Sequence, residues 1–325
     1  MKNESNLNFC YCFDENYNVQ AFSSMISLLD IVDEKINIFI IHNTSNIKNF
    51  LPNEIKNHSN LNTLKCFQFK DTSYDFPNID DSHISEATFY RIFISNYIKD
   101  TEFLIYVDAD TILLKNPISY IREEFSILNK SKNLISARTE YYYSDLTKEY
   151  VNNKNSYTSR LKIESNYFNA GFMLINLSMW EENNMQSKFI KKMLLLNKDL
   201  KQWDQDVLNA TINGAYNELS SSVNTYDSEY NKYSHSNSQD LNNIILLHYA
   251  GSNKPWLTSG AFSKGAAHYH LNFRKLYRNK YHITHKWKLA SIKELTQSLV
   301  NKKFFLIDSK SSYIFEFIRS MVKFK

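Results

Sequence analysis

The chain is poor in the residues that would mark it as anything other than a folded globular protein. It has 5 Gly and 4 Pro in 325 residues, which excludes collagen-like repeats and Pro/Gly-rich low-complexity sequence. Three cysteines, Cys10, Cys12 and Cys66, make no disulfide framework. Cys10 and Cys12 without further ligands are a poor zinc site, so structural thiols in a reducing compartment are expected. No stretch reaches the ~18 consecutive apolar residues of a spanning helix. Residues 1–7 are polar and lead into no apolar run, so no secretory signal is expected and the cytoplasm is the expected location.

What is present is enough to bury a sizeable core: the chain is 43% hydrophobic, with 22 Phe and 22 Tyr. Its length fits one catalytic domain plus an appendage, placed at residues 1–265 and 266–325. The charge is uneven. From Lys264 onward there are 14 Lys/Arg against 3 Asp/Glu in a chain whose net charge is +4, so the preceding body is net acidic. Residues 277–325 interleave these cations with Tyr, Trp and Phe. Helices of this kind suit an anionic membrane interface, each cation near the surface adding about 1 kcal/mol; a helical extension packed on the body is the plainer alternative. No nucleic-acid module accompanies the tail, so no nucleic-acid partner is expected.

Periodicity predicts alternating strands and helices through the first half. Strands are expected at residues 8–13, 36–41, 64–69 and 103–107, and helices at 19–32, 47–58 and 84–98. Further strands are expected at 134–137, 168–177 and 244–249. Ser178 with Glu181 reads as a capping box opening a helix to about residue 196, and residues 203–212 read as a helix stopped by Asn213-Gly214. Repeated units of this kind imply an α/β fold with a mostly parallel sheet flanked by helices. Residues 138–166 are polar and tyrosine-rich (Tyr141, Tyr142, Tyr143, Tyr150, Tyr157) and form a candidate acceptor-side loop.

The most informative segment is Leu104-Ile105-Tyr106-Val107-Asp108-Ala109-Asp110. An apolar strand delivers two carboxylates at its C-terminal end, where open α/β sheets bind ligands. Carboxylates this close repel unless a cation joins them, and hard oxygen ligands suit Mg²⁺ or Mn²⁺ completed by substrate phosphates. A surface turn would carry the same pair. His248 follows an apolar run and precedes Gly251 and Lys254. Its imidazole suits Mn²⁺ better than Mg²⁺, although a structural histidine also fits a strand end. Gly251 would let backbone approach a phosphate and Lys254 would neutralise one.

These segments belong to an ordered set: Cys12-Phe13-Asp14-Glu15-Asn16-Tyr17, Ala87-Thr88-Phe89-Tyr90-Arg91, Tyr106-Val107-Asp108-Ala109-Asp110, Phe168-Asn169-Ala170-Gly171-Phe172, Trp203-Asp204-Gln205-Asp206, and the stretch from His248 to Trp256. The set resembles the family 8 glycosyltransferases of the GT-A fold, which include bacterial lipopolysaccharide galactosyl- and glucosyltransferases and glycogenin. The resemblance implies a Rossmann-like GT-A fold and transfer of galactose or glucose, with retention, from a UDP-hexose to a saccharide or glycolipid acceptor such as lipopolysaccharide or lipooligosaccharide. It implies Mn²⁺, with Mg²⁺ as the alternative, on Asp108, Asp110 and His248. Cys12, Asp14 and Asn16 would hold the uridine; Arg91 would approach the sugar and phosphate. Asn169, Ala170, Asp204 and Gln205 would line the sugar pocket, Ala109 would contact the donor substrate, and Gly251 and Lys254 would contact the diphosphate. Asp204 and Gln205 are the catalytic candidates, positioning the anomeric carbon.

A double displacement would need a carboxylate on the far face of the sugar. Asp204 is the one candidate, and a front-face reaction in which the leaving phosphate helps deprotonate the acceptor is preferred. Two other classes compete. A haloacid-dehalogenase-like phosphatase would use Asp108-Ala109-Asp110-Thr111 as its nucleophile motif, but lacks its later acidic motif here. A non-catalytic nucleotide-sugar-binding protein would have no need of all three metal ligands.

Overall fold

The computed structural model describes residues 6–71, 73–77, 85–143, 150–152, 160–163, 165–236, 239–278, 280–285 and 287–322. Its frame is a seven-stranded sheet in the order β10-β6-β9-β4-β1-β2-β3. The strands are β1 (Asn8–Phe13), β2 (Ile36–His42), β3 (Leu61–Gln68), β4 (Phe103–Val107), β6 (Ile135–Thr139), β9 (Phe168–Asn176) and β10 (Tyr216–Glu218). β1 pairs in parallel with β2 and β4, β2 with β3, and β6 with β10. β9 runs antiparallel between β4 and β6. All nine of its residues, Phe-Asn-Ala-Gly-Phe-Met-Leu-Ile-Asn, are buried, as expected of a central strand covered on both faces.

The direction of β9 matters for the site. β1, β4 and β6 point the same way, so their C-terminal ends share one edge of the sheet. Because β9 is reversed, its N-terminal residues Asn169 and Ala170 arrive at that same edge. The order also changes direction between β1 and β4, which makes a topological switch point with a crevice above it.

A second sheet of three strands, β5 (Thr111–Leu113), β11 (Thr225–Tyr226) and β12 (Leu246–His248), stands at this crevice. β12 pairs antiparallel with β5 and places His248 opposite Thr111. A short hairpin of β7 (Tyr141–Tyr143) and β8 (Tyr150–Asn152) follows β6. Of the tyrosine-rich stretch on which the acceptor-loop expectation rests, residues 144–149, 153–159 and 164, and the side chains of 141–143 and 150–152, lie outside the described residues.

One face of the main sheet is covered by α1 (Asn18–Ile31) and α2 (Ile118–Lys130), through Phe22, Met25, Leu29, Ile121 and Phe125. The other face carries the 3₁₀ segment Glu86–Phe93, α4 (Met185–Leu196) and α5 (Trp203–Ile212), through Phe89, Phe93, Phe189 and Leu208. The helix α3 (Leu177–Glu182) closes the end of β9, and α6 (Asp227–Ser236) follows β11. α7 (Ala266–Tyr277) packs along α1 and joins Tyr269 and Phe273 to Tyr249 and Trp256. α8 (Lys288–Val300) and α9 (Lys310–Val322) complete the chain, with Tyr313 and Phe317 packed on Phe262, Tyr281 and Ile283. Among the described residues no helix is long and apolar enough to cross a membrane.

Several local expectations change. The helix expected over 47–58 is two single turns, Ile47–Phe50 and Asn53–Lys56. Pro52 stands between them, where it removes a donor and fixes φ. The helix expected over 84–98 is 3₁₀ over Glu86–Phe93 and α-helical only over Ile94–Tyr97. The Ser178–Glu181 capping box does not form. Asn176, the last residue of β9, caps instead by accepting from the Met179 N–H at 3.0 Å, which puts Ser178 inside the first turn. That helix ends at Glu182, and Asn184 in the left-handed region separates it from α4.

Candidate active site

Asp108 lies just past β4 and Asp110 just before β5, so the D-A-D turn joins the two sheets. Backbone bonds fix it: the Asp108 N–H donates to the Gly171 carbonyl of β9 at 2.8 Å, and Tyr249 N–H to the Asp110 carbonyl at 3.0 Å. The Thr111 hydroxyl donates to the Asp108 carbonyl at 2.9 Å. Pairing of β12 with β5 then brings His248 against both carboxylates, its Nε2 standing 3.3 Å from Asp110 Oδ1 and 3.8 Å from Asp108 Oδ2. One ligand atom from each of the three residues lies within 4.8 Å of the others. Two carboxylate oxygens and one imidazole nitrogen converging on a single point are a donor set that fits Mn²⁺ or another divalent cation.

Positive charge frames the cluster. Lys254 Nζ contacts Asp110 Oδ2 and donates to the Tyr249 carbonyl at 2.7 Å. Burial works to raise the Asp110 carboxyl, but Lys254 and His248 outweigh it and hold the group well below the ordinary carboxylate range. On the other side Arg91 is buried over the Tyr106 ring, 4.4 Å from its centroid. Each of its three guanidinium nitrogens has a protein partner: Nη2 meets Asp108 at 2.9 Å, Nε meets Asp204 at 2.8 Å, and Nη1 donates to the Ala170 carbonyl at 2.8 Å. Asp204 opens α5 and is buried, with the Thr88 hydroxyl donating to its other oxygen. Burial raises this carboxyl to about 6, against the opposing pull of Arg91 and Thr88.

Two adjoining hollows share Thr88, Arg91, Asp108, Asp110 and Lys254. The first runs past Cys12, Asp14, Tyr17 and Ala109. The second runs past Asn169, Asp204, Gln205, His248 and Gly251. Most of the residues expected for uridine, metal and sugar are therefore arranged along one cleft, with Asp108, Asp110 and His248 at its waist. Asn16 does not line it; its N–H and side-chain amide donate to Asp14 at 3.0 and 3.3 Å. Ala170 contributes backbone, its N–H donating to Gln205 Oε1 at 2.9 Å. Gly251 has φ +82° with open space around it, so its backbone conformation is what calls for glycine.

Some cleft residues escaped the sequence reading. Glu140, Tyr226, Glu229 and Lys232 line the second hollow, and Asn224 lies beneath it, accepting from His248 Nδ1 at 2.6 Å. None belongs to a residue pattern with recognisable spacing; tertiary folding alone gathers them. Asp206, by contrast, is structural. It is fully buried and accepts from the Lys201 and Gln202 N–H groups, Arg160 and Tyr167.

Residues 8–260 match Glycosyl transferase family 8. This chain belongs to that family. A Haemophilus influenzae protein assigned as a glycosyltransferase is 30% identical over 77% of this chain and 73% of its own length. The lipopolysaccharide 1,3-galactosyltransferase of Salmonella typhimurium is 32% identical over 54% of this chain, which spans about half (51%) of that enzyme. Among solved structures, the galactosyltransferase LgtC with donor and acceptor sugar analogs superposes with a TM-score of 0.67 at 18% identity, covering 83% of this chain and 96% of LgtC. The fold of this family 8 glycosyltransferase is thus GT-A, and membership sets aside the phosphatase alternative.

Proposed function

We propose that this glycosyltransferase takes galactose or glucose from a UDP-hexose and passes it, with retention, to a saccharide acceptor of the lipopolysaccharide or lipooligosaccharide type. The observation that carries the reading is the convergence of Asp108, Asp110 and His248 at the waist of a two-part cleft. Mn²⁺ is the favoured occupant and Mg²⁺ the alternative. Bound there, the cation supplies Lewis-acid stabilisation of charge on the departing diphosphate.

The chain's own residues supply the rest. Cys12 and Asp14 border the hollow assigned to uridine. Lys254, at the rim of both hollows, places a fixed positive charge where the diphosphate must cross, and such preorganised charge acts without reorganisation during the reaction. Asn169, Asp204 and Gln205 border the hollow assigned to the sugar, where their polar groups orient the anomeric carbon. Both Asp204 oxygens are engaged, by Thr88 and Arg91, an arrangement suited to holding a sugar hydroxyl rather than attacking carbon. This supports the front-face reaction; trapping a glycosyl ester on Asp204 would overturn it.

The relatives acting on lipopolysaccharide support a lipid-linked acceptor met in the cytoplasm at the inner face of the plasma membrane. The C-terminal segment, residues 266–325, supports it further by exposing Phe315, Ile318 and Val322 on α9 and Leu289 and Val300 on α8 beside Lys293, Lys302 and Lys303. The test is release of UDP by the purified protein with Mn²⁺, screened across UDP-sugars and then with truncated lipooligosaccharide as acceptor. Turnover of UDP-galactose or UDP-glucose is expected; no turnover of any UDP-sugar, with binding retained, would make this a non-catalytic binding protein.

A further inference from the structure

We propose that Asn224 is a positioning residue that fixes which nitrogen of His248 faces the cation site. The inference rests on the metal reading above, but its evidence is a chain of buried hydrogen bonds in which every amide orientation is forced. The Gly171 N–H can only donate, so the Asn169 atom 2.9 Å from it is Oδ1. Asn169 Nδ2 then donates to the Glu140 carboxylate at 2.7 Å. Because Asn169 Oδ1 accepts, the Asn224 atom 2.8 Å away is Nδ2. Asn224 therefore turns Oδ1 toward His248, and at 2.6 Å the His248 Nδ1 must donate to it. Nδ1 therefore carries a proton, which leaves Nε2, facing Asp108 and Asp110, as the nitrogen that can ligate a cation.

Slippage in this chain is costly. Asn169, Asn224 and His248 are all buried, and reversing one amide would strand polar groups at about 1–3 kcal/mol each. The backbone of Asn224 is pinned as well. It has φ +70°, a left-handed conformation that asparagine tolerates better than most residues, and its carbonyl accepts from Arg138 Nη1 at 2.7 Å. Arg138 is in turn clamped by both oxygens of Glu229, at 2.7 and 2.9 Å. Gly171 supplies the floor: a Cβ there would stand 2.3 Å from His248 Cε1. Ring plane, ring flip and tautomer are thereby set before any cation arrives, and partners of this sort carry a typical 10–100-fold effect on metal affinity.

The experiment uses the full chain labelled with ¹⁵N-histidine, metal-free and at a pH where the ring is neutral, together with Mn²⁺ binding read from the electron-spin signal of unbound ion. The variant is Asn224→Gly, which keeps a positive φ accessible. Wild type is expected to show a proton on Nδ1. In the variant the tautomer is expected to shift and Mn²⁺ affinity to fall roughly 10–100-fold. A proton on Nε2 in wild type, or an unmoved tautomer in the variant, would overturn the proposal even with affinity lost, since that marks a merely structural role. Should the variant fail to fold, the wild-type spectrum decides. Wild type that shows the expected tautomer but binds no Mn²⁺ would uphold the relay and sink the metal reading.

Discussion

At the scale of single residues, the site is governed by charges that burial has made expensive. Asp204 in the folded chain is raised to about 6, against about 3.9 for an unperturbed aspartate. The folded state therefore binds this proton more tightly than the unfolded state. Stability from this group is full below the unfolded value, declines as pH rises between about 4 and 6, and stays reduced above. Replacing Asp204→Asn removes that dependence. The difference in unfolding free energy between variant and wild type should move by about 2 kcal/mol in favour of the variant from about pH 4 to about pH 8; chemical denaturation at the two pH values measures it. Gly171 is governed by space instead. Gly171→Ala would drive a methyl into the His248 ring, so a loss of about 1–3 kcal/mol in stability is expected. Mn²⁺ affinity should fall with it, whereas full affinity would show that the ring can give way.

At the scale of elements, strands with continuous apolar runs were legible and helix boundaries were less so. β1, β4 and β9 lie within a residue or two of where their buried runs predict, because a strand inside a covered sheet has no polar alternative. Caps depend on where the previous element ends. Ser178 and Glu181 carry the right spacing, but β9 runs to Asn176 and hands its amide the capping role. Asn176→Ala should therefore cost about 1 kcal/mol in thermal or denaturant unfolding, and Ser178→Ala a few tenths at most. The reverse ranking would restore the capping box. The 3₁₀ stretch Glu86–Phe93 was read as helical because its apolar residues, Phe89, Ile92 and Phe93, space nearly as an α-helix does; its buried face includes Arg91, and the tighter winding became evident only once that face had neighbours.

At the scale of the whole molecule, an acidic body carries a basic C-terminal segment whose helices leave apolar side chains uncovered. Phe315, Ile318 and Val322 share the outer side of α9 with Arg319. On the membrane reading, replacing all three by Asn should weaken binding to phosphatidylglycerol-containing vesicles at least tenfold while UDP release persists. Equal partitioning in a flotation assay would leave the segment without a role as an anchor. Point changes serve better than removal of residues 277–325, because Tyr281, Ile283, Tyr313 and Phe317 pack against Ala261 and Phe262 of the preceding chain.

The sequence by itself determined the α/β class, the placement of two carboxylates at a strand end, and the family to which the ordered motifs belong. These follow from local order: hydrophobic period, and side chains one or two residues apart. Tertiary structure alone decided that β9 runs backward, which delivers Asn169 to the ligand edge. It also decided that β12 pairs with β5, which sets His248 beside residues about 140 positions earlier. The Glu140–Asn169–Asn224 relay behind that histidine was equally invisible. Its members are scattered along the chain, and a buried hydrogen-bond network has no period to read; it exists only where separate strands and turns are closed around the same buried atoms.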